Sequence, residues 1–346
     1  MKKRNIIFAA LFFTLLSPTC YIESKTITQA KGTNNFFAAI THTGDNSTVK
    51  DDVNNSLNTK IKNITKFIPH ISFSDILDKL NNSIDSKDIT NSTILLNNIN
   101  TKIAESTNHI KENFNSQLHS EIQRANGLTD DYLEKLINDT KTLIACEDFE
   151  KINAKMKLIS YKIDNLLYES GQTSTLEPLE IDGTIIVNKN FGLPVDYGYR
   201  LRPEVDSAFQ EMKQAAANDG VQLSIASGFR SYYKQQQLFS SYSYSYGSTA
   251  SSFSAPAGYS EHQSGLALDI GGADSSLWVT SAFSYTYEAQ WLKENCAKYG
   301  FILRYPVEKE DITGYIYESW HFRYVGTELS TYLTENNLTL EEHFGL

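Results

Sequence analysis

The stretch Ser260-Glu261-His262-Gln263-Ser264-Gly265-Leu266-Ala267-Leu268-Asp269, taken with Glu318-Ser319-Trp320-His321, decides the reading of the carboxy-terminal half of this chain. Two imidazoles and a carboxylate can fill three corners of a Zn²⁺ tetrahedron and leave the fourth to water, which is a catalytic layout. Between His262 and Asp269 stands Gly265, a residue that lets the backbone turn through angles closed to other residues. The run Leu266 to Ile270 reads as a short buried strand carrying one charge. A carboxylate buried among apolar residues demands a cation, and either a metal ion or a neighbouring Arg or Lys would answer. Glu318 and His321 sit between Ile316-Tyr317 and Phe322-Arg323-Tyr324-Val325, an aromatic run with strand character. That spacing allows a proton carrier and a ligand to share one cavity.

Working outward, Ile185-Ile186-Val187 reads as a strand and Pro203 to Ala217 as a helix opened by proline. Val221 to Ala226 reads as a strand that delivers Ser227-Gly228-Phe229-Arg230 to a loop, where scaffolds commonly display working residues. A guanidinium grips a carboxylate with two parallel hydrogen bonds, so Arg230 suits a peptide's free C-terminus. Gln235, on the helix Tyr232 to Phe239, is a weaker candidate for touching substrate. The Ser/Tyr-rich stretch Ser240 to Ser254 reads as a polar surface loop. Beyond the first motif come a helix over Ser284 to Tyr299 stopped by Gly300, strands over Ile302 to Tyr305 and Tyr315 to Tyr324, and a short closing helix over Thr339 to His343.

All three Trp and sixteen of the twenty Tyr lie after Ile181. The preceding region is rich in Asn, Lys, Ile, Ser and Thr, and such a shift marks a domain boundary. Residues 64–172 show apolar residues at helical spacing, such as Leu133, Leu136, Ile137, Thr140 and Ile144, and read as a helical spacer. Residues 22–63 read as a disordered linker. Met1-Lys2-Lys3-Arg4 followed by an apolar run from Ile6 to Leu16 reads as an export signal or membrane anchor over residues 1–21. A membrane tether through the N-terminus is therefore a possible partner interaction. Cys20 raises lipid attachment as an alternative. Cys146 and Cys296 read as buried or free thiols, without ligand spacing. A formal charge of −10 with no basic patch argues against nucleic acid as a partner.

The pattern Ser-x-His-x-x-Gly-x-Ala-x-Asp followed by Glu-x-Trp-His resembles that of the VanY-type zinc D-alanyl-D-alanine carboxypeptidases, within the LAS-type peptidoglycan peptidases. Val187-Asn188-Lys189 with Leu193-Pro194-Val195-Asp196-Tyr197, Ser227 to Ser231, Tyr299 to Pro306 and Ile312 to Tyr315 resemble that family's blocks in order, over Ile181 to Leu346. The resemblance implies an α+β catalytic domain over 180–346, with a small antiparallel sheet flanked by helices, behind a mostly α-helical N-terminal region. It implies Zn²⁺ on His262, Asp269 and His321, Glu318 as general base, and Arg230 on the terminal carboxylate. The implied reaction removes the C-terminal D-alanine from peptidoglycan stem peptides. An L,D-carboxypeptidase acting on tetrapeptide stems, or an endopeptidase, would use the same centre. An inactive wall-binding protein is the alternative of another class.

Overall fold

A computed structural model describes residues 46–346, so the signal, Cys20 and the linker up to residue 45 lie outside the described residues. Two compact units are present. One comprises residues up to 118 together with 140–152, and the other 119–139 with 153–346.

In the first unit, α1 (Asn46–Phe67), α2 (Ser74–Asp85) and most of α3 (Ile89–Arg124) bury apolar stripes. The linker expected to run to residue 63 is helical from Asn46 onward. The reason is a stripe that sparse composition concealed: Val53, Leu57 and Ile64 fall on one helical face and are buried. Phe67, Phe114 and Phe149 close this core in edge-on and stacked pairs, with centroids 5.6–6.1 Å apart. Cys146 is disulfide-bonded, whereas Cys296 is a buried free thiol, so the expectation of two thiols holds only for Cys296.

The second unit takes in the first half of α4 (Asp131–Cys146) and most of α5 (Phe149–Glu169). Residues 119–139 and 153–172, expected in a separate spacer, thus belong to one body with the segment that follows. Tyr132 and Tyr161 pack edge-on against Phe191 at 5.6 and 5.7 Å, and the Val195 backbone N–H donates to the Tyr168 hydroxyl at 3.1 Å. Few residues make these contacts, so composition does not reveal them.

The remainder of this unit is α+β. A hairpin of β1 (Glu180–Ile181) and β2 (Thr184–Ile185) leads to α6 (Pro203–Asn218), β3 (Ser224–Ser227) and α7 (Tyr232–Tyr246). Next come β4 (Ala267–Gly271), α8 (Tyr287–Asn295), β5 (Phe301–Leu303) and α9 (Glu310–Thr313). The chain ends with β6 (His321–Tyr324), α10 (Thr327–Glu335) and α11 (Leu340–Phe344). The main sheet is antiparallel in the order β3-β4-β6-β5.

Two local readings change. The Ser/Tyr-rich stretch expected as a loop continues α7 to Tyr246 and then forms a 3₁₀ turn over Gly247–Ser252. Ser231 caps this helix by accepting from the Lys234 N–H, and Tyr242, Tyr246 and Phe253 pack their rings together. Aromatic packing thus holds a helix where polar composition suggested none. The strand expected over Tyr315 to Tyr324 begins only at His321, because Glu318 to Trp320 form the turn that enters it.

Strand alternation does the sorting. Leu268, Ile270 and Phe322 enter a core with Val205, Phe209, Leu292 and Phe301, while Asp269, His321 and Arg323 point to the opposite face.

Candidate active site

Register brings the motif together. On β4 and β6, Asp269 stands directly opposite His321, and Ser227 of β3 is the cross-strand partner of Asp269 on the other side. Such pairs hold their Cβ atoms about 4.5–5.5 Å apart. His262 arrives from the 3₁₀ turn Glu261–Ser264, which ends at Gly265 in the left-handed region (φ 71°). A Cβ there would lie 2.5 Å from the Arg200 carbonyl oxygen, so the turn that aims His262 requires glycine.

His262 Nδ1 lies 2.7 Å from the Gly228 carbonyl and donates to it, which leaves Nε2 bare, 3.3 Å from Asp269 Oδ2. His321 Nδ1 lies 3.2 Å from Asp269 Oδ1, and its Nε2 lies 3.2 Å from Glu261 Oε2. One donor atom from each of His262, Asp269 and His321 falls within 4.8 Å of the others. All three residues are at most 5% exposed, and Asp269 Oδ1 has no hydrogen-bond partner.

The electrostatics show what this cluster lacks. Burial would raise the Asp269 carboxyl, but the two imidazoles outweigh it and hold the group well below the usual carboxylate range. Burial lowers His262, while His321, pinned between Asp269 and Glu261, is raised to about 9 despite burial. An imidazole between two carboxylates is a place for positive charge, whether a proton or a metal. The N,N,O donor set, the orphaned carboxylate oxygen and the second nitrogen of each ring held by a hydrogen bond all fit Zn²⁺.

Glu318 sits one turn before His321, whose N–H lies 3.3 Å from the Glu318 carbonyl, and its Oε2 is 3.9 Å from His321 Nδ1. The Glu318 N–H donates to the Tyr305 carbonyl, which fixes the turn. Burial pushes the Glu318 carboxyl up to about 7, with nearby cations opposing, so it can both accept and release a proton near neutrality.

Arg230 stands across the cleft. Its Nη2 donates to Ser227 Oγ at 3.0 Å and lies 3.5 Å from Asp269 Oδ2, so the neighbouring-cation answer to the buried Asp269 is also present. Its Nη1 donates to Gln235 Oε1 at 2.9 Å. Gln235 is fully buried, and its amide nitrogen donates to Ala255 O and lies 3.3 Å from Ser254 Oγ. The structure therefore gives Gln235 to Arg230 rather than to the cleft, because both ends of its amide are spent inside the protein. The cleft has a volume of about 450 Å³, and Arg230, Glu318 and the metal-type triad share its lining with Tyr242, Phe253 and Val279.

Residues 198–327 match a family model described as D-alanyl-D-alanine carboxypeptidase, VanY. The chain is 34% identical over 234 residues to the putative carboxypeptidase YodJ of Bacillus subtilis, covering 60% of this chain and 86% of that one. This chain belongs to the VanY family of carboxypeptidases. A D-alanyl-D-alanine carboxypeptidase of Enterococcus faecium is 41% identical over 154 residues, covering 44% of this chain and 46% of that protein. Among solved structures, the LdcB LD-carboxypeptidase aligns at 34% identity with a TM-score of 0.44, over 49% of this chain and 92% of that one. A vancomycin-resistance D,D-pentapeptidase VanY variant in complex with Zn(II) aligns at 34% identity with a TM-score of 0.41, over 46% of this chain and 97% of that one. The cluster on the β4–β6 face of this VanY-family chain thus belongs to an enzyme of the carboxypeptidase class.

The motif letters left several members of the site unread. Glu261 stood only as the variable position between Ser260 and His262, yet it is 2% exposed and touches His321. Arg304 and Arg323, both 1% exposed, donate to it at 2.8 and 2.9 Å. One signal was present for the two arginines: Arg304 and Arg323 each lie in an apolar or aromatic run, where a charge needs a buried partner.

Proposed function

We propose that this chain is a zinc-dependent D,D-carboxypeptidase that removes the terminal D-alanine from peptidoglycan stem peptides. The observation that carries the reading is the convergence of one ligand atom from each of His262, Asp269 and His321 within 4.8 Å, beside Glu318. Zinc held by His262, Asp269 and His321 would supply Lewis acidity and lower the pKa of water towards neutrality. Glu318 takes the proton from the attacking water and returns it to the departing amine, a role suited to a carboxyl near neutrality. Arg230, held by Ser227 and Gln235, grips the terminal carboxylate, so that only the last peptide bond lies beside Glu318. Burial of the site excludes bulk water and strengthens these interactions. Export through the N-terminal segment would bring the enzyme to the cell envelope, where such a substrate lies.

The test is to incubate the full chain with defined penta- and tetrapeptide stems, free and amidated at the C-terminus, with and without a chelator. Mass spectrometry should show loss of one alanine from the free pentapeptide, abolished by chelator and restored by Zn²⁺. Cleavage of the amidated peptide would defeat the role given to the terminal carboxylate. Cleavage of the tetrapeptide alone would replace D,D with L,D specificity.

A further inference from the structure

Behind the triad lies a group of buried charges that the reaction does not use directly. Glu261, Arg304, Arg323 and Glu341 have side chains 1–6% exposed. Arg304 donates from Nε to Glu261 at 2.8 Å, and its fork donates to the Glu341 carboxylate at 2.8 and 2.6 Å. Arg323 donates to the same Glu261 oxygen at 2.9 Å, while the other Glu261 oxygen faces His321 Nε2. Asn188 adds a hydrogen bond to Glu341 at 3.2 Å. Two carboxylates balance two guanidiniums. With one Glu261 oxygen taken by the two guanidiniums, the other is left to accept from the His321 Nε2–H at 3.2 Å.

Glu341 lies on α11, far along the chain from both motifs. Docking that helix does not require a buried acid. Leu340 already anchors it in an apolar cluster with Ile302 and Leu333, and Thr339 with Glu342 forms a complete capping box at its start. Burying an ionised pair carries a desolvation cost that an apolar side chain would avoid. The role that remains is electrostatic. Without the Glu341 charge, the whole of Arg304 would fall on Glu261, whose one oxygen already serves two guanidiniums. The oxygen facing His321 would then accept less strongly.

We propose that Glu341 is a positioning residue for the metal ligand His321, acting from the C-terminal helix through Arg304 and Glu261. The relay holds the ring orientation and keeps the proton on Nε2, so that Nδ1 presents its lone pair to the metal. The inference rests on the zinc reading of the site.

The experiment measures Zn²⁺ affinity of the full chain by competition with a chromophoric chelator, and the visible absorption of the Co²⁺-substituted protein. Glu341→Gln should weaken Zn²⁺ binding about 10–100-fold, as loss of a partner behind a ligand does, and shift the Co²⁺ bands. Glu341→Asp, which keeps the charge, should recover most of the affinity. Glu342→Ala, which removes the side-chain half of the capping box and the partly buried pair with Lys309, should leave both readouts near the parent. Unchanged affinity and spectrum in Glu341→Gln overturn the relay, as does an equal loss in Glu342→Ala, which would show helix docking alone at work. If Glu341→Gln does not fold, Arg304→Lys tests the same relay with the same two readouts, since it keeps the charge and breaks the fork. Failure of the parent chain to bind Zn²⁺ would instead defeat the reading of the site itself.

Discussion

Residues 46–118 with 140–152, and the β4–β6 face, use the same charged side chains in opposite ways. In the first, Lys79 pairs with Asp75 at 2.8 Å with both side chains more than half exposed, and Lys50–Asp85 and Lys111–Glu147 are similar, partly exposed pairs. In the second, Arg304 and Glu261 meet at the same 2.8 Å with each side chain 1% exposed. Distance does not distinguish these pairs, but water does. Exposed pairs contribute about 0–1 kcal/mol and are screened by salt. Breaking a buried pair by removing one partner costs about 3–5 kcal/mol, because the survivor stays charged in a poor solvent. The helical region is held by apolar stripes with charge as decoration, whereas the catalytic face is held by charge that must be matched group by group.

Predictions that sharpen this contrast fall in order of expected effect. Glu318→Gln should lower kcat by about 10²–10⁴-fold, the range for a lost general acid–base, while the purified variant keeps its zinc by elemental analysis. Full turnover in that variant would remove Glu318 from proton transfer. Next, Glu261→Gln should destabilise the chain by about 3–5 kcal/mol, because two buried guanidiniums lose their shared carboxylate; chemical denaturation reads this directly. A loss no larger than that of an exposed pair would erase the distinction between the two regions. Arg230→Ala should cut kcat/KM on a free-carboxylate peptide by roughly 10–100-fold, matching the loss of a charge-assisted contact of about 1.5–3 kcal/mol. An amidated peptide, which both forms of the enzyme should cleave poorly, serves as the control. At the small end, Lys79→Ala should change stability by less than about 0.5 kcal/mol, and less still in high salt.

The site proved more legible in the sequence than its support. His262, Asp269 and His321 could be named because an ionisable residue inside an apolar run is conspicuous, and strand alternation with the Asp269–His321 register then brought them together. Glu318 and Arg230 followed from the same motifs and border the same cleft. Gln235 was misplaced because its helix position gives no sign that its amide would be used up by Arg230 and Ala255. Glu341 was invisible because its partners, Arg304 and Asn188, lie 37 and 153 positions away. Local pattern does not carry pairings of that range. The same limit applies to Tyr132 and Tyr161, whose packing on Phe191 joins two helices to the catalytic body across a change in composition. Where composition did mislead, at Asn46 to Asn63 and Ser240 to Tyr246, a few well-spaced apolar or aromatic residues were enough to order a polar segment.

The most direct measurement is anomalous diffraction at the zinc absorption edge from crystals grown with Zn²⁺. The account predicts one strong peak about 2.0–2.2 Å from His262 Nε2, an Asp269 carboxylate oxygen and His321 Nδ1. A peak coordinated by other residues, or no peak at this cluster despite supplied zinc, would contradict it.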